Sequence, residues 1–195
     1  MTRHLVIFVK EPRPGRVKTR LAADIGPIAA TWWFRHQTAR LLRRVGGDPR
    51  WQTSLAVAPD RQGMASRVWP ADLPRLPQGG GDLGARMARV MRAMPPGPVI
   101  IIGSDIPGIH ASHIDGAFQM LGRHDAVLGP APDGGYWLIG LRRGGQALPQ
   151  AMLQGVRWSG PHAMADTIAS LAPLRTGYTA TLQDVDTVED LARSR

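Results

Sequence analysis

The sequence predicts an α/β fold, a mostly parallel central sheet flanked by helices, and three features carry that prediction. Apolar runs of strand length alternate with helix-length segments from one end of the 195-residue chain to the other. The run Pro98 to Gly103 sets four β-branched residues in succession, the unbroken apolarity of a strand covered on both faces, which suits the centre of a parallel sheet. Proline and glycine loops follow the strand-like runs, where open α/β sheets bind their ligands. A chain of this length supports one sizeable core, so residues 1–195 are expected to form a single domain.

The elements follow in order. His4 to Val9 is a short buried strand, and a loop from Glu11 to Gly15 follows it. Gly26-Pro27 opens a long helix to about Val45, with Pro27 in the first turn, where its missing N–H leaves no bond unmade. Ile28, Trp32, Ala39, Leu42 and Val45 give its expected inner stripe, and Gly46 to Pro49 stops it. Thr53 to Ala58 is a second strand, and the proline-laden stretch Pro70 to Gln78 allows at most a short third. After Gly79-Gly80-Gly81 comes a helix from about Asp82 to Met94, then the strand Pro98 to Gly103 and a helix His113 to Gly122. Asp125 to Gly129 and Tyr136 to Leu141 form a strand pair around a Pro-Asp-Gly-Gly turn. Helices near Pro161 to Leu171 and Val188 to Arg193 bracket a last strand near Arg175 to Thr181.

Composition narrows the function classes. There are no cysteines, which excludes disulfides, thiolate zinc sites and cysteine nucleophiles, and leaves oxygen, nitrogen or a hard metal ion to do the chemistry. No apolar run is long enough to span a bilayer, and Leu5 to Val9 is too short for a signal peptide, so a cytoplasmic address is expected. The formal charge of +9 invites a nucleic-acid reading. The arginines are scattered, however, and the groups Arg40, Arg43, Arg44 and Arg86, Arg89, Arg92 recur at helical spacing, as solvated faces do. No nucleic-acid-binding motif accompanies them, so a small anionic substrate is preferred to a polymer.

Only two of the 24 basic residues are lysines, Lys10 and Lys18, and both lie between Val9 and Leu21. An ammonium and a guanidinium are not interchangeable in a tight phosphate cradle. Lys10, Arg13, Arg16, Lys18 and Arg20 gather on a backbone that Pro12, Pro14 and Gly15 hold out of helix, well placed to neutralise a polyphosphate. The P-loop pattern is absent. Asp105, in Gly103-Ser104-Asp105-Ile106-Pro107, ends the strongest strand and can hold Mg²⁺ beside phosphate oxygens, although Asp also caps turns. Asp184-Val185-Asp186 offers a second carboxylate, since alternation points Asp184 and Asp186 to one side; Asp186 or Thr187 can equally cap a helix. Gln78 to Gly84 contains a GxGxxG match without a good strand before it, so a dinucleotide fingerprint is rejected; Gly80, Gly81, Asp82 and Gly84 more plausibly bring backbone close to a base or ribose, with Gln78 reading the base edge. Asp133, Gly134 and Gly135 make a turn, and the following Tyr136-Trp137 can line an acceptor pocket. No histidine pair has metal-ligand spacing, and no GxSxG elbow surrounds Ser104.

With these residues placed, the chain resembles the DUF2064 family, glycosyltransferase-like proteins also described as radical-SAM/selenodomain-associated transferase 1 and related to 2-phospho-lactate guanylyltransferase. The matching pieces are VKEPRPGRVKTRL (9–21), GGDLGARM (80–87), IIGSDIPGI (101–109), GPAPDGGYWLIGL (129–141), RWSGPHAMADT (157–167) and DVDTVEDL (184–191). The resemblance implies a nucleotide-diphospho-sugar transferase (GT-A, Rossmann-like) fold. It also implies an Mg²⁺- or Mn²⁺-assisted transfer in which Lys18 and its neighbours hold phosphates, Asp105 binds the metal and the terminal aspartates complete the site. Pro132, where relatives commonly carry an acidic residue, and the single Asp of GSDIP depart from the pattern.

The reading that results is a metal-dependent transferase acting on a nucleoside triphosphate or nucleotide sugar, with Lys18, Arg20 and Asp105 at the chemistry and a small acceptor as partner. A non-catalytic nucleotide sensor would keep the phosphate cations and dispense with the metal carboxylates. A basic RNA-binding module is the third alternative.

Overall fold

A computed structural model of the protein describes residues 1–143 and 148–193. Fourteen elements alternate along it: β1 (His4–Lys10), α1 (Thr19–Ile25), α2 (Pro27–Val45), β2 (Gln52–Ala58), α3 (Asp60–Ala65), β3 (Arg75–Pro77), α4 (Leu83–Ala93), β4 (Val99–Ile102), α5 (Ala111–Met120), β5 (Ala126–Pro130), β6 (Tyr136–Leu141), α6 (Ala163–Leu171), β7 (Thr176–Tyr178) and α7 (Val188–Arg193). The strands form one seven-stranded sheet in the order β3-β2-β1-β4-β6-β5-β7. Among the described strands only β6 runs against the rest, pairing antiparallel with both β4 and β5. The expected mostly parallel α/β sheet is therefore what the protein forms, and β4 is central, parallel to β1 on one side.

Alternation along each strand splits the core into two layers. Leu5, Ile7 and Val9 of β1 with Ile100 and Ile102 of β4 face α2 and α5. Val6, Val99 and Ile101 face α4, whose Met87, Val90 and Met91 are buried, and Leu171 of α6. Such period-two burial on both sides explains why β1 and β4 read as continuous apolar runs. A third, smaller cluster of Leu21, Ala30 and Val185, with Trp33 and Leu191 against it, ties α1, α2 and α7 together beside the sheet.

Several expectations need correction. Pro27 does begin α2, but the buried face is Ala30, Thr31, Phe34, Gln37, Thr38, Leu41, Leu42 and Val45. Ile28 and Trp32 are 72% and 63% exposed. The most apolar residues were a poor guide because this face buries polar ones too, and Thr31 returns its hydroxyl to the Pro27 carbonyl at 2.7 Å. The basic loop is not wholly outside helix, since α1 begins at Thr19 and carries Arg20. Nor are the arginine groups merely solvated faces. Arg44 donates to the Pro107 and Ile109 carbonyls, Arg86 to that of Gly81 and Arg89 to that of Gln78. Among the described residues no helix is long and apolar enough to cross a membrane.

Candidate active site

Three distant stretches of sequence meet at the carboxyl ends of β1 and β4. After β1 the loop tightens through a turn in which Arg16 N–H donates to the Arg13 carbonyl at 3.0 Å, and Val17, 4% exposed, anchors it. Lys18 follows in the left-handed region, φ 48° and ψ 50°, and its carbonyl accepts the Ala22 N–H at 2.8 Å to start α1. A non-glycine residue there carries local strain of about 1 kcal/mol or more, which persists only where surrounding contacts fix it. The contacts are electrostatic. The Lys18 side chain is 5% exposed, with Nζ 2.5 Å from Asp105 and 2.6 Å from Asp186, and 3.8 Å from Asp184.

Asp105 is held by its neighbours in the loop after β4. Ser104 and Ile106 on either side are buried, and Arg44 reaches from α2 to bond the carbonyls of Pro107 at 2.8 Å and Ile109 at 2.6 Å. The aspartates near the carboxyl terminus are set by Val185. Its side chain, 1% exposed, plugs the small third cluster, and its N–H donates to the Asp105 carbonyl at 3.3 Å. With Val185 turned inward, alternation turns Asp184 and Asp186 outward together. Asp190 clamps the turn below by accepting from the N–H groups of Asp186 and Thr187.

Carboxylate oxygens of Asp105, Asp184 and Asp186 lie within 4.8 Å of one another. Three hard oxygen donors at this separation suit Mg²⁺ or Mn²⁺, and the position they surround is one that a cation, the Lys18 ammonium, already finds favourable. Burial pulls the Lys18 ammonium down, but Asp105 and Asp186 outweigh it and hold its pKa above the ordinary lysine value. Burial pushes the Asp184 carboxyl up to about 6; Lys18 opposes the shift, and the neighbouring carboxylates of Asp105, Asp186 and Asp133 add to it. Arg20 completes the group, with Nη1 3.2 Å from Asp186.

Clefts open on both sides of the triad. On one side a groove of about 580 Å³ runs past Lys10, Lys18, Arg20 and Arg86. It leads through Lys10 and Arg86 into a basic hollow of about 740 Å³ that Arg13, Arg16, Arg61 and Gly80 also line. On the other side is a smaller cleft of about 290 Å³ walled by Tyr136, Trp137 and Trp158, with Asp133 and Gly135 at its rim.

The structure thus gathers Lys18, Arg20, Asp105, Asp184 and Asp186 at one point, with Lys10, Arg13, Arg16 and Gly80 on the basic side and Asp133 and Gly135 on the aromatic side. Other expected ligand contacts are structural instead. Gln78 is 3% exposed, and both N–H bonds of its amide go to the Val9 and Ala56 carbonyls, so it braces strand ends rather than reading a base. Asp82 caps α4, accepting from Ala85 N–H at 2.8 Å. Gly81, at φ +98°, is the turn into that cap. Gly84 is buried, and a Cβ there would strike the Leu153 carbonyl and the Trp158 ring. Gly134, at φ +84°, packs on Pro161, and Gly15, at φ +73°, forms the exposed tip of the loop. Sequence reasoning missed Trp158, Arg61 and Arg86 as lining residues. The tryptophan had a signal, since it lies in the stretch RWSGPHAMADT (157–167) that carries the family resemblance; the arginines resembled other surface arginines.

The comparisons place the chain in a family and a fold. The family model described as an uncharacterized protein conserved in bacteria (DUF2064) matches residues 41–160. A protein of Desulfovibrio desulfuricans G20, provisionally called a nucleotide-diphospho-sugar transferase, is 30% identical with a TM-score of 0.85, over 98% of this chain and 85% of that one. Rv0371C of Mycobacterium tuberculosis H37Rv, in complex with manganese, shares the fold at 15% identity and TM-score 0.57, over 100% of this chain and 97% of that one. The 4-diphosphocytidyl-2C-methyl-D-erythritol synthase of Anaerococcus prevotii DSM 20548 does so at 9% identity and TM-score 0.59, over 99% and 96%. No curated protein sequence matches the chain. With a family model covering more than half its length and a 30% identical relative aligned almost throughout, this chain belongs to the DUF2064 family.

Proposed function

We propose that the protein is a divalent-metal-dependent transferase that moves a nucleotidyl or glycosyl group from a nucleoside triphosphate or nucleotide sugar to a small acceptor. The observation that carries the reading is the convergence of Lys18, Asp105, Asp184 and Asp186 between a basic hollow and an aromatic cleft. A polyphosphate suits the first, through Lys10, Arg13 and Arg16, and an acceptor suits the second. Asp105 and Asp186, with Asp184 as a third oxygen donor, would hold Mg²⁺ or Mn²⁺. The ion would supply charge neutralisation of the departing phosphate oxygens.

The chain's own residues do the rest by position and charge. Lys18 and Arg20 face the developing negative charge on the leaving group. The acceptor oxygen approaches from the aromatic side. In nucleotidyl transfer it bonds to the α-phosphorus and pyrophosphate leaves; in glycosyl transfer it bonds to the anomeric carbon and a nucleoside diphosphate leaves. A likeness in fold to the 4-diphosphocytidyl-2C-methyl-D-erythritol synthase, and at 14% identity to CMP:2-keto-3-deoxy-manno-octonic acid synthetase complexed with CTP, supports the first version, and the name of the 30% identical relative supports the second. Incubation with Mn²⁺, a panel of nucleoside triphosphates and sugar nucleotides, and a mixture of small hydroxyl-bearing acceptors tests it. Pyrophosphate or nucleoside diphosphate release that Asp105→Asn abolishes is expected, and equal release by wild type and Asp105→Asn would overturn the reading.

A further inference from the structure

The aromatic cleft constrains the acceptor, an inference that rests on the transferase reading. We propose that it takes an uncharged, hydroxyl-bearing acceptor of monosaccharide or small-polyol size and discriminates against phosphate monoesters. Three observations carry this. At about 290 Å³ the cleft lies at the small end of small-molecule sites. Its walls are aromatic: Tyr136 and Trp158 meet edge to face with centroids 6.4 Å apart, and Ala163 lies beside them. Trp158 is seated by the bare Cα of Gly84, where a Cβ would stand 2.8 Å from its ring. Such walls accept the C–H face of a sugar ring while its hydroxyls turn to Asp133 and Asp184.

Charge decides the rest. Among the described residues lining the cleft the acidic groups are Asp105, Asp133, Asp184 and Asp186, and the single cation is Arg20. That guanidinium is engaged with Asp186 at 3.2 Å, and the nearby Lys18 ammonium is engaged with Asp105 and Asp186. A divalent ion would, with Lys18, balance the three triad carboxylates and leave Asp133 against Arg20, so the loaded cleft has no net positive charge either. With the triad ion and Arg20 turned to the donor phosphates, a phosphate dianion entering the acceptor side would give up its hydration facing Asp133 and the aromatic walls, with no further cation lining the cleft among the described residues. The contrast with the opposite side, where Lys10, Arg13, Arg16, Arg61 and Arg86 outnumber Glu11 and Asp60, assigns anions to the donor and neutral hydroxyls to the acceptor.

Saturation-transfer NMR on the Mg²⁺-loaded protein tests this with methyl α-D-glucopyranoside and glycerol against glucose 6-phosphate and glycerol 3-phosphate. The signal counted is the part lost in Trp158→Ala, which removes any contribution from the basic hollow. Carbon-bound proton signals of at least one neutral probe are expected to exceed those of its phosphorylated partner fivefold or more. Ser159→Lys, an exposed change at the rim that spares the core, should reverse the preference. Absence of Trp158-dependent signal from both neutral probes, equal or stronger signal from the phosphate esters, or an unaltered ratio in Ser159→Lys would each overturn the inference. Parallel titration of CDP, GDP and UDP tests the donor side independently, so a failure there counts against the transferase reading and not against this ratio.

Discussion

Replacing Lys18 with methionine keeps most of the side chain's length and removes one charge from the centre of the site. In the metal-free protein this leaves the carboxylates of Asp105, Asp184 and Asp186 within 4.8 Å of one another with no cation between them. Removing one partner of a buried ion pair costs about 3–5 kcal/mol. The aspartates keep 28–37% of their side-chain surface in solvent, which argues for the low end, about 3 kcal/mol. For a protein of this size that is a fall in Tm of about 6–12 °C. A divalent ion supplies the missing charge, and in the variant it no longer competes with the ammonium. Mn²⁺ should therefore restore most of the lost stability and bind up to about two orders of magnitude more tightly than to wild type in the absence of nucleotide. Circular-dichroism melts in chelator and in Mn²⁺, with calorimetric titration of the ion, read both effects. A variant that melts within about 2 °C of wild type in chelator, or gains no more from Mn²⁺ than wild type does, refutes the reasoning.

Other expectations follow from single groups. Arg44→Ala deprives the Pro107 and Ile109 carbonyls of their donor and should cost about 1–3 kcal/mol by denaturant unfolding, and it should also weaken Mn²⁺ binding through the loosened Asp105 loop. Arg13→Ala with Arg16→Ala changes two exposed side chains, so stability should move by no more than about 0.5 kcal/mol while nucleotide affinity falls and its salt dependence flattens. The Asp184 carboxyl, raised to about 6 when folded, binds its proton more tightly in the folded than in the unfolded protein. The stabilisation it gives is complete below about pH 4 and is lost as pH rises through 6. Asp184→Asn should accordingly match wild type near pH 4 and, in chelator at pH 7.5, exceed it by about 1 kcal/mol, a figure discounted for the solvent exposure of the group. A stability difference that does not change with pH would remove that assignment.

The sheet was legible because β1 and β4 are buried on both faces and leave no ambiguity of period, and the turns around Pro27 and Gly134 have strong local chemistry. The short α1 and α3 were not, because seven and six residues give no apolar period to detect, and α1 starts from a left-handed lysine rather than from a capping side chain. The inner face of α2 was misread because Thr31, Gln37 and Thr38 occupy it while Trp32 lies outside and stacks on His36 at 3.8 Å. At the site, Lys18 could be singled out as one of only two lysines in an arginine-rich chain, Asp105 because it follows the strongest strand, and Asp186 because alternation pairs it with Asp184. Their convergence was open to expectation only, since 168 positions separate Lys18 from Asp186. The glycine loop misled in the opposite direction. Gln78, Asp82 and Gly84 looked like ligand groups because loop polarity and glycine freedom are demanded equally by strand braces, helix caps and close packing.

Calorimetric titration of CDP, GDP, UDP and ADP with and without Mn²⁺, in wild type and in Asp105→Asn, tests most directly whether the ammonium, the triad and the basic hollow serve one phosphate–metal site. The expected result is that Mn²⁺ tightens at least one nucleotide tenfold or more in wild type and that Asp105→Asn loses this enhancement while keeping its fold. A nucleotide affinity indifferent to Mn²⁺ in wild type, or an enhancement that survives in Asp105→Asn, contradicts it.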